Sequence, residues 1–452
     1  MGSLQLIENR IAEAMAQVTT EPAGLTPDNA AEEIAASARI NGLTADHVRR
    51  GKTPSAIATL WLQSRLEGTS STGQATPENR DGRFALLPYS QVVYDSMKQG
   101  NTEAWTFALT LQTEAERVDA QQLRKAMETA LDAHPIFRTH IDEQGQQYYD
   151  ASQRTPYFQY DIQTDSAHVS LSIQANRILG DGSSFLLLLS DLDRAYHGLP
   201  IPTDSYYRYL RQHEAHQGSH EYRQHAETLH AEFDGMECPT HPLPDTPFGT
   251  DAIQASQSID LSDLADAIQK LQEREKSSLN VIVTLASALA IMDYNHTDEA
   301  ALTWAYAGRE NTAEQHIFGS LHRDIPVRVS RSSSDSPHRL LQTIKEDMRR
   351  GVTCSDYPYT FLATDRTRWQ QAVNVLLQPR LTPHFCDADW CLLPHPSIPS
   401  PQPANCLFDI EIGESPLCLT LRYASPCYSD ASIQRFATLH RRNLEWLLDK
   451  RS

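Results

Sequence analysis

Between residues 169 and 189 the hydrophobic pattern changes from strict alternation to a solid apolar run across a tight turn, and few folds accommodate that change. Val169, Leu171 and Ile173 alternate with polar residues, the period-two pattern of a strand with one buried face. From Phe185 to Leu189 every side chain is apolar, and Ser190-Asp191-Leu192-Asp193 follows, which predicts the start of a buried helix. Between the two lie Gly180, Asp181 and Gly182, residue types that permit unusual backbone angles. A strand feeding such a turn and then a buried helix holds the turn's side chains at one fixed point inside a core.

The rest of the chain frames that unit. A length of 452 residues predicts two or three domains with a sizeable core. A net charge of −19 argues against nucleic-acid and anionic-membrane partners, both of which require basic surface. No apolar run reaches the roughly 18 residues of a membrane span, and the N-terminus turns polar at once, without the apolar core of a signal peptide. Leu6 stands where a myristoylation signal prefers Ser or Thr. The 7 cysteines include no Cys-x-x-Cys pair, which points to a reducing compartment, and the expected localisation is cytoplasmic.

Residues 4–20 place Ile7, Ile11, Ala14, Met15 and Val18 on one helical face, and a second helical stretch after Asp28 stops at Asn41-Gly42. Thr53-Pro54 opens a further helix, TPSAIATL. A Gly/Ser/Thr-rich linker at 66–82 follows. Trp105 to Leu111 alternates like a strand, and Asp119 caps a helix whose stripe is Leu123, Ala126, Met127, Ala130 and Leu131. Pro239, Pro242, Pro244 and Pro247 mark a crossover. Beyond it the pattern predicts helices near 261–274 and from Ser278 to Tyr294, strands at Ala301–Tyr306, Ile325–Val329 and Leu417–Tyr423, and a closing helix capped by Asp430.

Asn176-Arg177-Ile178-Leu179-Gly180-Asp181-Gly182 resembles the HHxxxDG signature of the condensation domains of nonribosomal peptide synthetases, with the DG half intact and both histidines replaced. Leu86-Leu87-Pro88-Tyr89, His134-Pro135-Ile136-Phe137-Arg138-Thr139, Gly308-Arg309-Glu310, Gly319 to Val329 and Val373 to Gln378 are similar, in order and spacing, to further motifs of that family. His322-Arg323-Asp324 departs from the usual Val-Asn-Thr. The resemblance covers roughly residues 84–450. It implies an α/β fold of two chloramphenicol-acetyltransferase-like lobes in a V-shaped pseudo-dimer, at 83–245 and 246–452. Residues 1–65 are similar to a peptidyl-carrier (thiolation) domain, with Asn29 after Asp28 where a loadable carrier has its Ser. That segment is read as a carrier remnant that takes no phosphopantetheine, a plain helical extension being the alternative.

What the resemblance implies about chemistry turns on one position. The second signature His positions or deprotonates the attacking amine, a task suited to an imidazole. Arg177 stands there, and a guanidinium has no acceptor lone pair. The site residues are therefore Asn176, Arg177, Asp181 and Gly182, with an Asp181–Arg138 ion pair expected to hold the turn. Arg177 can bind an anion, stabilise an oxyanion, or fill the tunnel and pair with an acid. The readings that follow are an impaired scaffold or recruitment module of secondary-metabolite or siderophore-type biosynthesis, a working non-standard acyltransferase, or an eroded synthetase fragment. Expected partners are peptidyl-carrier domains, a larger synthetase or a tailoring enzyme. No cofactor or metal is expected. His384, Cys386, Cys391 and His395 cluster in sequence, but at a spacing that fits no common zinc motif, and His197 is read as a surface loop residue.

Overall fold

The computed structural model describes residues 79–249, 252–332, 336–362, 371–378, 384–393, 406–414 and 417–449, together with Met15 and Val48. The chain divides into two compact units, Met1–Pro77 and Glu78–Ser452. The carrier-like segment and most of the linker lie outside the described residues.

The first lobe of the larger unit is built on a four-stranded antiparallel sheet. Thr106–Glu114 (β2) pairs along its whole length with His168–Asn176 (β6), which in turn pairs with Phe158–Thr164 (β5). The alternation in β6 buries Val169, Leu171, Ile173 and Ala175. Two helices cover this face, Ala120–Ala133 (α2) and Gly182–Tyr196 (α3). Asp119 caps α2 by accepting from the Gln121 and Gln122 amides, and the five predicted stripe residues are its buried ones. A small sheet of Phe84–Ala85 (β1), Gln146–Tyr149 (β4) and Thr139–Ile141 (β3) flanks the helix Pro88–Lys98 (α1). Tyr206–Gln217 (α4) and His220–Phe233 (α5) complete the lobe. No helix was anticipated over these two, because their buried sets are sparse: Tyr206, Tyr207 and Leu210, then Leu229 and Phe233.

The second lobe is a six-stranded mixed sheet in the order Ile253–Asp260 (β7), Leu417–Ser425 (β15), Phe408–Glu414 (β14), Asn374–Gln378 (β10), Glu299–Tyr306 (β8) and Arg323–Ser330 (β9). Strand β10 runs parallel to both of its neighbours. The helix Leu279–Asn295 (α7), apolar all round, is buried along nearly its whole length, as such a composition requires. Ala265–Glu275 (α6) and Pro337–Thr353 (α9) pack beside it, with a short helix at Thr312–Gln315 (α8). The closing helix is Asp430–Leu448 (α10), and Ser429, not Asp430, is its cap, accepting from the Ser432 amide. Among the described residues no single helix is long and apolar enough to cross a membrane.

The lobes exchange segments. The late chain returns to the first lobe, where the hairpin His384–Phe385 (β11) and Ala388–Asp389 (β12) precedes Cys391–Leu393 (β13), which pairs with β2. Phe385, Cys386, Ala388 and Trp390 sit in the first-lobe core. So do Ile317, Phe318 and Leu321 from the segment before β9. This second crossing, residues 317–322, lies directly over the turn between β6 and α3.

Candidate functional site

The turn begins where β6 ends. Asn176 is buried, its Nδ2 donating to Thr106 Oγ1 at 3.2 Å and its Oδ1 accepting from the Ile178 amide at 3.0 Å. It closes the strand. Asp181 then does two jobs with its two oxygens. Oδ1 caps α3 by accepting from the Ser184 amide at 2.9 Å and the Ser184 hydroxyl at 3.0 Å. Oδ2 accepts from Arg309 Nη1 at 2.8 Å, the Leu321 amide at 2.9 Å and the His322 amide at 3.0 Å. Burial alone would raise the Asp181 pKa, yet the Arg309 charge and hydrogen bond hold it below the usual carboxylate value.

Neither Gly180 nor Gly182 adopts a positive φ, so the unusual angles anticipated for the turn are absent. Gly180 is needed for closeness instead: a Cβ there would stand 2.8 Å from the Phe318 ring and 2.9 Å from Ser184 Cβ. Gly182 begins α3 with open space around it.

Arg177, whose amide donates to the Trp105 carbonyl at 2.9 Å, lines a cavity of about 470 Å³ between the lobes. Its walls carry Tyr89 and Trp105 from the first lobe, His322 from the crossing segment, and Asp324, Asn374 and Asp409 from the second-lobe sheet. Burial raises the Tyr89 hydroxyl pKa, against the opposing charge of the nearby Arg177. Among the described residues no carboxylate pairs with Arg177 within salt-bridge distance. Burial pushes Asp409 up to about 6, against the hydrogen bond from Cys406 and the charge of Arg422. Four lining residues carry buried polar atoms without a partner: Trp105 Nε1, Ser320 Oγ, His322 Nδ1 and Asn374 Oδ1. Native interiors rarely leave such groups idle unless a ligand or water satisfies them.

The family model described as "Condensation domain" matches residues 143–451. The chain belongs to the condensation-domain family. Among solved structures it is similar to the epimerization domain from the third module of tyrocidine synthetase B, at TM-score 0.67 and 16% identity over 83% of this chain and 99% of the other. It is similar to VibH, a condensation enzyme of nonribosomal peptide synthesis, at 0.66 and 16% over 80% and 96%. The X-domain from teicoplanin biosynthesis stands at 0.66 and 14% over 82% and 95%. No curated protein matches. The two-lobed α/β architecture expected from the sequence is thus the observed one.

Within this condensation domain the predicted quartet separates. Arg177 faces the cavity, Asp181 ties the lobes together, Asn176 is structural, and Gly182 has no contact that explains it. The Asp181–Arg138 pair is not formed. Arg138 instead donates to Asp132 at 2.9 Å and to the Ala151 carbonyl at 2.8 Å, at the partly exposed end of α2. The cation at Asp181 is Arg309, both side chains being at least nine-tenths buried. Its signal was the Gly308-Arg309 pair after the buried strand β8: Gly308 has φ +64° and a Cβ there would meet the Leu321 carbonyl at 2.0 Å.

Sequence reasoning also missed His134. It is buried between two carboxylates, with Nδ1 2.7 Å from Asp204 and Nε2 3.0 Å from Asp191. Burial opposes its charge, yet the two carboxylates raise its pKa to about 9. His216 and His225 both meet Asp356, a cavity-lining residue, and the three ligand atoms lie within 4.8 Å of one another, close enough for a divalent ion. Of the residues clustered in sequence, His384 turns to Asp389, Cys386 is buried in the first-lobe core and Cys391 is exposed on β13; His395 lies outside the described residues. His197 ends α3 and meets Asp387 at 2.9 Å.

Proposed function

We propose that this chain is a non-standard condensation-type acyltransferase of nonribosomal peptide biosynthesis, joining an acyl thioester to an amine in the chamber between its lobes without an imidazole in the signature turn. The observation that carries this reading is the chamber: about 470 Å³, lined from both lobes, with the Arg177 cation in its wall. A chamber of that size suits a small-molecule or pantetheine-linked substrate. Arg177, free of a carboxylate partner among the described residues, is placed to hold an anionic group or a developing oxyanion.

The recruitment reading suggested by the missing histidines requires a continuous apolar docking face. The large exposed apolar side chains among the described residues are Leu199, Leu243, Phe248, Ile253, Phe361 and Leu392, and they come from several separate segments. The two readings part in one assay. Octanoyl- and aminoacyl-pantetheine thioesters are incubated with aminoacyl-pantetheine acceptors, and amide products are followed by mass spectrometry. The transferase reading expects amide from the parent and loss of amide in Leu376→Trp, which fills the chamber from its wall. Absence of amide from every pair would contradict it and leave recruitment as the better account.

A further inference from the structure

We propose that His322 is the proton acceptor of the chamber. The inference rests on the transferase reading above and goes on to name the residue that moves the proton. A base has to reach the chamber, keep a free nitrogen and be rigidly held. His322 lines the chamber. Its Nδ1 is sealed against protein with no hydrogen-bond partner, so Nε2 is the nitrogen presented to the interior. Among the described residues no hydrogen bond ties Nε2 down. The Asp324 carboxylate stands 4.0 Å away, too far to hydrogen-bond.

Its position is fixed from three sides. The backbone amide is gripped by Asp181 Oδ2 at 3.0 Å. The ring lies edge-on to Tyr89, with centroids 4.0 Å apart. Asp324 is itself anchored, accepting from Asn374 Nδ2 at 2.7 Å. The charged and titratable groups around the imidazole are thus Tyr89 on α1, Asp181 in the turn, Asp324 on β9, and Arg177 beyond Tyr89. The retained half of the signature turn positions an imidazole carried by the facing segment, while Arg177 occupies the turn position from which a base is missing.

The step balances within this set. The neutral amine nitrogen attacks the thioester carbonyl carbon and a C–N bond forms. The surplus proton on that nitrogen passes to Nε2. The C–S bond then breaks, and the leaving thiolate takes the proton back from the imidazolium. No oxidant, reductant or metal is required.

The test uses the full chain with the same pantetheine probes. Replacing His322 with Asn should lower kcat by about 10²–10⁴-fold while the KM values for donor and acceptor change little, and it should abolish the fall in kcat toward acid pH. Asp181→Asn should lower kcat less and retain that acid limb, as befits a positioning residue. Circular dichroism of each variant checks that the fold is kept. Carbethoxylation of His322 by diethyl pyrocarbonate, mapped by mass spectrometry, should be slowed by octanoyl-pantetheine. If His322→Asn turns over at the parent rate while Leu376→Trp does not, His322 is not the acceptor and the transferase reading stands. If the parent forms no amide, both fall together.

Discussion

Asp181 shows how one carboxylate can hold several elements together at once. It caps α3 and takes a buried arginine and two backbone amides from the crossing segment, so its charge is matched where an unmatched one would be costly. Asp181→Ala should destabilise the protein by about 3–5 kcal/mol, because it strands Arg309 in the interior. Arg138→Ala should cost less than about 1 kcal/mol, its partner being a half-exposed Asp132. Chemical denaturation of the two variants decides which arginine holds the turn, and equal losses would contradict the assignment. The sequence had placed Asp181 and its need for a cation correctly. The partner was beyond reach because Arg138 and Arg309 are both plausible on type alone, and only the approach of the 317–322 segment, over Gly180 and Gly308, selects between them.

At the scale of elements, the strand–turn–helix unit, the striped α2 and the wholly apolar α7 follow directly from the hydrophobic pattern. The late hairpin and β13 do not. Residues 384–393 form short strands whose partners lie far back in the chain, Asp193 for Cys386 and β2 for β13, so no local pattern announces them. The same is true of the clamp at the end of α2, where His134 joins Asp191 on α3 to Asp204 before α4. Asp204 also accepts from the Phe318 amide at 2.9 Å, which links the clamp to the crossing segment. The sign of its pH dependence is set by a folded-state pKa raised to about 9 against an unfolded value of about 6.5. The clamp's contribution is fully present below roughly pH 6.5 and is lost as pH rises through about 9. The denaturation midpoint should therefore fall between pH 6 and pH 9.5, and more steeply for the parent than for His134→Gln. Identical slopes for the two proteins would contradict a charged His134.

At the scale of the whole molecule, the family's two-lobed architecture is kept, and the proposed proton acceptor sits on the facing segment instead of in the signature turn. The segments exchanged between lobes bring Arg177, Tyr89, His322, Asp324 and Asn374 around one chamber. Sequence order separates these residues by as much as 285 positions, from Tyr89 to Asn374, which is why only Arg177 among them was read as a site residue. The account stands on that chamber being where substrate sits. Photo-crosslinking with a diazirine-bearing acyl-pantetheine, followed by peptide mapping, tests this most directly. The account predicts adducts on chamber-lining segments, chiefly residues 87–105, 320–324 and 371–376, and their loss in Leu376→Trp. Adducts confined to the outer surface, or undiminished by that substitution, would contradict it.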